Sequence, residues 1–63
     1  NLKFRRSLYF VKNLHAGDRL EHDAVRSVRP GYGVAPKLLD QLLGKILQQD
    51  VKANTPVRLD LLK

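Results

Sequence analysis

At 63 residues the chain forms one domain at most, and a domain of that size buries only about 60% of the surface its unfolded chain exposes, so its stability is marginal. The absence of cysteine excludes a disulfide framework and a thiolate metal site, and the two histidines, His15 and His22, do not make a zinc ligand set by themselves. Twelve Lys and Arg against six Asp and Glu leave a net charge of +6, a balance that raises nucleic acid or an acidic surface as a partner.

The chain opens on NLKFRRS, which lacks the apolar stretch of a secretory signal, and no later apolar run is long enough to span a membrane. The missing initiator methionine and abrupt start lead us to expect a piece of a longer protein, with residues 1–6 as a linker and 7–63 as the folded domain. Ser7 to Lys12 (SLYFVK) is rich in β-branched and aromatic residues and predicts a short strand that stops at Asn13. Gly17-Asp18 supplies a turn: glycine for a positive φ, aspartate for a local side-chain to backbone hydrogen bond. His22 to Val25 predicts a single helical turn before RSVR resumes an extended run.

Next comes RPGYG, residues 29 to 33. The ring of Pro30 clashes with an α conformation at Arg29 and holds it extended, and Gly31 and Gly33 are free to turn sharply. Read locally, this is a strand-to-helix loop whose arginine solvates its flank. Pro36 suits a first helical position, and Leu38, Leu39, Leu42 and Leu43 recur on one helix face, a core-packing stripe. Periodicity alone carries that helix to Gln49; Gly44, just past the stripe, predicts a stop there and leaves KILQQD as a strand. The tail VKANTPVRLDLL repeats the earlier order, with a turn at Asn54-Thr55-Pro56.

A displacement of 37 positions sets Leu14, Ala16, Leu20, Asp23 and Val25 over Val51, Ala53, Val57, Asp60 and Leu62. Two similar strand-turn-strand units of this kind predict a compact, mostly β fold with short helices and pseudo-twofold symmetry.

The basic residues are spread from Lys3 to Lys63, and only Arg5 and Arg6 are adjacent. There is no basic tract and no aromatic-and-glycine signature of an RNA-binding sheet, so nucleic acid is disfavoured. A stand-alone polyanion-binding module stays open as an alternative; its affinity would fall steeply with salt. His15 and His22 are expected to be exposed, since no carboxylate or nucleophile lies at a sequence spacing that would recruit them. No catalytic triad can be assembled.

Arg5-Arg6-Ser7, the turn Ala16-Gly17-Asp18, the block Arg29-Pro30-Gly31-Tyr32-Gly33, Pro36, Leu43-Gly44-Lys45 and Asp50 together resemble, over nearly the whole chain, the C-terminal antifreeze-like (SAF, β-clip) domain of sialic acid synthase-type enzymes. Each motif is short; their order and spacing carry the specificity. The family usually has asparagine or a similar residue between the two glycines, and Tyr32 looks more like the pseudaminic acid or spore-coat polysaccharide synthase branch.

The resemblance implies a cytoplasmic parent enzyme that condenses phosphoenolpyruvate with an N-acylated amino sugar, using a divalent metal (Mn or Mg) held in an N-terminal (β/α)₈ barrel, with no cofactor in the small domain itself. It also implies a homodimer in which the small domain of one subunit caps the barrel of the other. The arginine of the RPG block, here Arg29, would reach the sugar's N-acyl group. Tyr32 is a second candidate substrate contact, and Arg5, Arg6, Pro30, Gly31 and Gly33 are candidate subunit contacts. The fold's likeness to fish antifreeze domains adds ice binding as a further alternative, which a chain with 29% charged residues fits poorly.

Overall fold

The computed structural model describes residues 4–63; Asn1 to Lys3, the first half of the expected linker, lie outside the described residues. β1 (Ser7–Phe10) and β2 (Val25–Val28) form a two-stranded antiparallel sheet in which Ser7 faces Val28 and Phe10 faces Val25. Alternation along β1 sends Leu8 and Phe10 to one face, where both are buried with Leu20, Leu47, Val57 and Leu61. Ser7 points the other way and is buried as well, because residues 30–33 lie over that face. The strand is two residues shorter than SLYFVK, but its place and character are as the composition predicts.

His22–Ala24 form the expected single turn, in 3₁₀ geometry, and a matching 3₁₀ turn occupies Leu59–Leu61. Asp18 closes the Gly17 turn as its chemistry requires: its carboxylate accepts the His15 N–H at 2.8 Å. Pro36 opens a 3₁₀ turn (Pro36–Leu38) that runs into α1 (Leu39–Leu42). The stop at Gly44 holds: its φ is +89°, and its N–H leaves the helix to donate to the Leu20 carbonyl at 2.9 Å. Of the leucine stripe, Leu42 is fully buried and Leu39 packs against the core.

KILQQD is not a strand. Only Ile46 and Leu47 pair, through single antiparallel bridges to different segments, Arg19 for the first and Leu62 for the second. The segment runs between two neighbours, 17–20 on one edge and 61–63 on the other, and makes a single bridge with each, so no ladder extends along it. At Gln48 the backbone N–H donates to the Leu61 carbonyl at 2.8 Å, and the side chain adds bonds to the Leu62 and Asp60 carbonyls, at 2.9 and 3.2 Å.

Several hydrogen bonds link the first and second halves of the chain. Leu14 and Val51 exchange both N–H···O bonds at 2.9 Å. Gly17 N–H donates to the Leu47 carbonyl at 2.8 Å, and Asn54 N–H to the Phe10 carbonyl at 2.7 Å. Leu20 N–H donates to Lys45, and Val57 N–H to Leu8. Side chains contribute as well: Ala16 N–H donates to the Asp50 carboxylate and Ala53 N–H to the Asn13 side-chain oxygen, at 2.9 and 2.8 Å.

The turns at Gly17 and Asn54 both need a left-handed backbone, with φ +93° at Gly17 and 72° at Asn54. Nothing lies within 4 Å of a Cβ built on Gly17, so only the backbone resists a side chain there. Gly17→Ala and Asn54→Ala are each expected to cost about 1 kcal/mol, with Asn54→Gly close to neutral. Urea denaturation midpoints of the three variants check this.

Candidate functional site

The Arg29–Gly33 loop joins β2 to the Pro36 turn, and its first peptide bond, Arg29–Pro30, is cis. Three donors converge on the Pro30 carbonyl: the Tyr9 hydroxyl at 2.8 Å, the Tyr32 N–H at 3.0 Å and the Ser7 hydroxyl at 3.2 Å. The same Ser7 oxygen accepts the Gly33 N–H at 2.9 Å. Farther on, Val34 bridges the two neighbouring segments: its N–H donates to Val57 and its carbonyl accepts from Leu8, both at 2.9 Å.

The chain bends at Gly33, but neither loop glycine has a positive φ. Their need is for room. A Cβ on Gly33 would collide with the Leu8 carbonyl and lie 2.9 Å from the Val57 nitrogen. One on Gly31, which is buried, would meet the Arg5 stem at 2.9 Å. Arg5 therefore lies across the loop, while Arg6 donates to the Ser27 carbonyl on β2 at 3.1 Å.

Arg29 is exposed, and among the described residues its side chain makes no hydrogen bond or ion pair. Its guanidinium is always charged and offers a rigid fork of donors, suited to a carbonyl oxygen or a carboxylate. Tyr32 is 60% exposed and forms one wall of an open cleft of about 470 Å³. Val51, Pro56 and Leu61 supply its apolar surface, and Gln49, Lys52 and Arg58 its polar part. Arg58 is already engaged by Asp60, at 3.1 and 3.2 Å. Arg29 does not line this cleft, so the two candidate substrate contacts face different surroundings.

Both histidines are exposed, but His15 does meet a carboxylate: its Nδ1 lies 3.7 Å from Asp50 Oδ1. Sequence spacing hides this contact, because the Leu14–Val51 pairing brings position 50 beside 15. Ser7 is the sole buried polar side chain among the described residues, and no group of three or more His, Cys, Asp or Glu among them could hold a metal ion. What the arrangement can do is hold a cation and an aromatic ring at the surface on a braced loop. Sequence reasoning missed Ser7 and Tyr9 as the braces; the one available signal was a hydroxyl residue at each position flanking the core-facing Leu8. The cleft residues from the 49–58 segment carry no motif.

The antifreeze protein-like domain of the human N-acetylneuraminic acid phosphate synthase gene superposes on this chain with a TM-score of 0.85, at 19% identity, covering 90% of this chain and 73% of that one. The flagellar protein FlgA of Thermotoga maritima MSB8 contains the same fold, with a TM-score of 0.80 at 23% identity, over 94% of this chain and 24% of that one. The fold is thus a small β-rich domain of the antifreeze-like class. The family model for the SAF domain matches residues 5–63; the chain belongs to the SAF domain family.

Pseudaminic acid synthase of Helicobacter pylori is 35% identical to it over 57 residues, 90% of this chain. Pseudaminic acid synthase of Campylobacter jejuni serotype O:2 is 42% identical over 52 residues, 82% of this chain. The chain spans only 17% and 15% of the length of these two relatives. Among the described residues no helix is long and apolar enough to cross a membrane.

Proposed function

We propose that this chain is the substrate-capping domain of a pseudaminic or sialic acid-type synthase, a cytoplasmic homodimeric enzyme that condenses phosphoenolpyruvate with an N-acylated amino sugar. The similarity to pseudaminic acid synthases over 82–90% of the chain carries this reading. Catalysis and the divalent metal belong to a barrel outside this chain. Arg29 hydrogen-bonds the sugar's N-acyl oxygen in the partner subunit's site, Tyr32 borders the sugar, and Arg5, Arg6, Pro30, Gly31 and Gly33 form the ground on which the other subunit rests. Support for Arg29 is chemical: it stands exposed on a loop held by several hydrogen bonds, so little ordering is required when it meets its ligand.

The test is steady-state kinetics of a full-length synthase carrying this domain. A hydrogen bond from a charged donor contributes about 1.5–3 kcal/mol, so Arg29→Ala is expected to raise the KM for the acylated sugar roughly 10- to 150-fold. Arg29→Lys keeps the charge but loses the fork, and is expected to recover only part of that. The melting temperature should not move. Unchanged kinetics in Arg29→Ala would remove Arg29 from the site.

A further inference from the structure

We infer that Ser7 and Tyr9 are the positioning residues of the Arg29–Gly33 loop, so that the place at which the loop presents its side chains is set from β1. Both side chains project from the strand face opposite Leu8, toward the loop. Their hydroxyls meet on one atom, the Pro30 carbonyl oxygen, at 3.2 and 2.8 Å. That carbonyl belongs to the Pro30–Gly31 peptide, one unit beyond Arg29; because the ring fixes φ of Pro30, only its ψ lies between the held plane and the Arg29–Pro30 peptide that carries the Arg29 Cα.

The roles of the two hydroxyls differ. Ser7 is 1% exposed and uses its oxygen twice, donating to Pro30 and accepting from Gly33 N–H, so it ties together both ends of Pro30–Gly33. Water does not reach it to replace either bond, and removing it leaves the Gly33 N–H without its acceptor and takes one of three donors from the Pro30 carbonyl. Tyr9 is half-buried and reaches the same carbonyl from the next turn of the pleat. Tyr32 N–H, the third donor there, belongs to the loop itself, so its protection reports whether the carbonyl stays in place.

A core role alone would not need two hydroxyls. Phenylalanine at position 9 and alanine at position 7 would serve packing, and among the described residues no buried side-chain polar atom is left without a partner. Hydroxyls spent on one loop carbonyl constrain that loop.

Residue-resolved amide hydrogen exchange on this chain tests the inference. In Ser7→Ala, exchange at Gly33 is expected to speed about tenfold relative to Leu14, Leu20 and Val51, whose bonds lie elsewhere in the fold. In Tyr9→Phe, which keeps the ring, exchange at Tyr32 should rise about fivefold with the same core amides unmoved. If loop and core amides change in step, or neither changes, the hydroxyls serve only global stability and the inference is overturned.

The functional half rests on the reading of Arg29 given above, and a second arm separates the two. In the full-length synthase, Tyr9→Phe is expected to raise the sugar KM severalfold with kcat nearly kept. If Arg29→Ala raises the KM and Tyr9→Phe does not, positioning by β1 is overturned while the substrate contact stands. If exchange responds and Arg29→Ala leaves kinetics unchanged, the substrate contact falls and the brace on the loop stands.

Discussion

Gly33→Ala is expected to unfold the domain or bring it to the edge of unfolding at 25 °C. The added methyl meets backbone on two sides, the Leu8 carbonyl and the Val57 nitrogen at 2.9 Å, and neither can rotate away as a side chain would. These two groups are bonded to each other, the Val57 N–H donating to the Leu8 carbonyl at 2.9 Å beside the bonds both segments make to Val34, so accommodating the methyl means opening that junction. Overpacking a fixed site costs typically about 1–3 kcal/mol and more where backbone must shift, against a total stability of roughly 3–9 kcal/mol for a domain of this length.

The control is Gly17→Ala, where space is open and only the left-handed φ resists. Circular dichroism melts should show a small downward shift for Gly17→Ala and a lost or much lowered transition for Gly33→Ala. Equal shifts would refute the close approach.

Phe10→Ala carries the second large effect. Phe10 is fully buried, and its backbone lies where the halves cross, donating to Thr55 and accepting from Asn54. Truncating a buried phenylalanine to alanine costs about 3–5 kcal/mol, which approaches the whole stability expected here. Phe10→Leu keeps most of the volume and should cost about 1–2 kcal/mol. A folded Phe10→Ala with an unchanged urea midpoint would mean that the core closes without this ring.

Much of the local structure was legible in the sequence because it depends on near neighbours. The β-branched and aromatic run at 7–10, the Gly17-Asp18 turn, the helical turn at His22 and the stop at Gly44 each follow from residues within a few positions of one another. The direct bonding of Leu14 to Val51 was not legible from near neighbours, since 37 positions separate them.

What failed depends on distant contacts. Ile46 and Leu47 look like a strand, but which neighbour each receives is decided by Arg19 and Leu62. Gly31 and Gly33 look like turn residues, and only Arg5, Leu8 and Val57 reveal that they are also needed for clearance. At the candidate site, Arg29 and Tyr32 could be singled out by chemistry and resemblance. Ser7 could not, since its use appears only once the loop has folded back over it.

The exchange of backbone partners between the halves has a consequence for how the chain reaches this state. Apart from the β1–β2 pair, the helical turns and the 46–48 contacts with 61–63, segments find their mates more than twenty positions away, so a ribosome-bound or proteolytically clipped half has little to hold it. Such chains pay loop closure before contact and acquire order in one late step, on the millisecond-to-second timescale. A nick in the connector near Lys37 should therefore release two sticky, unstructured peptides rather than two miniature domains.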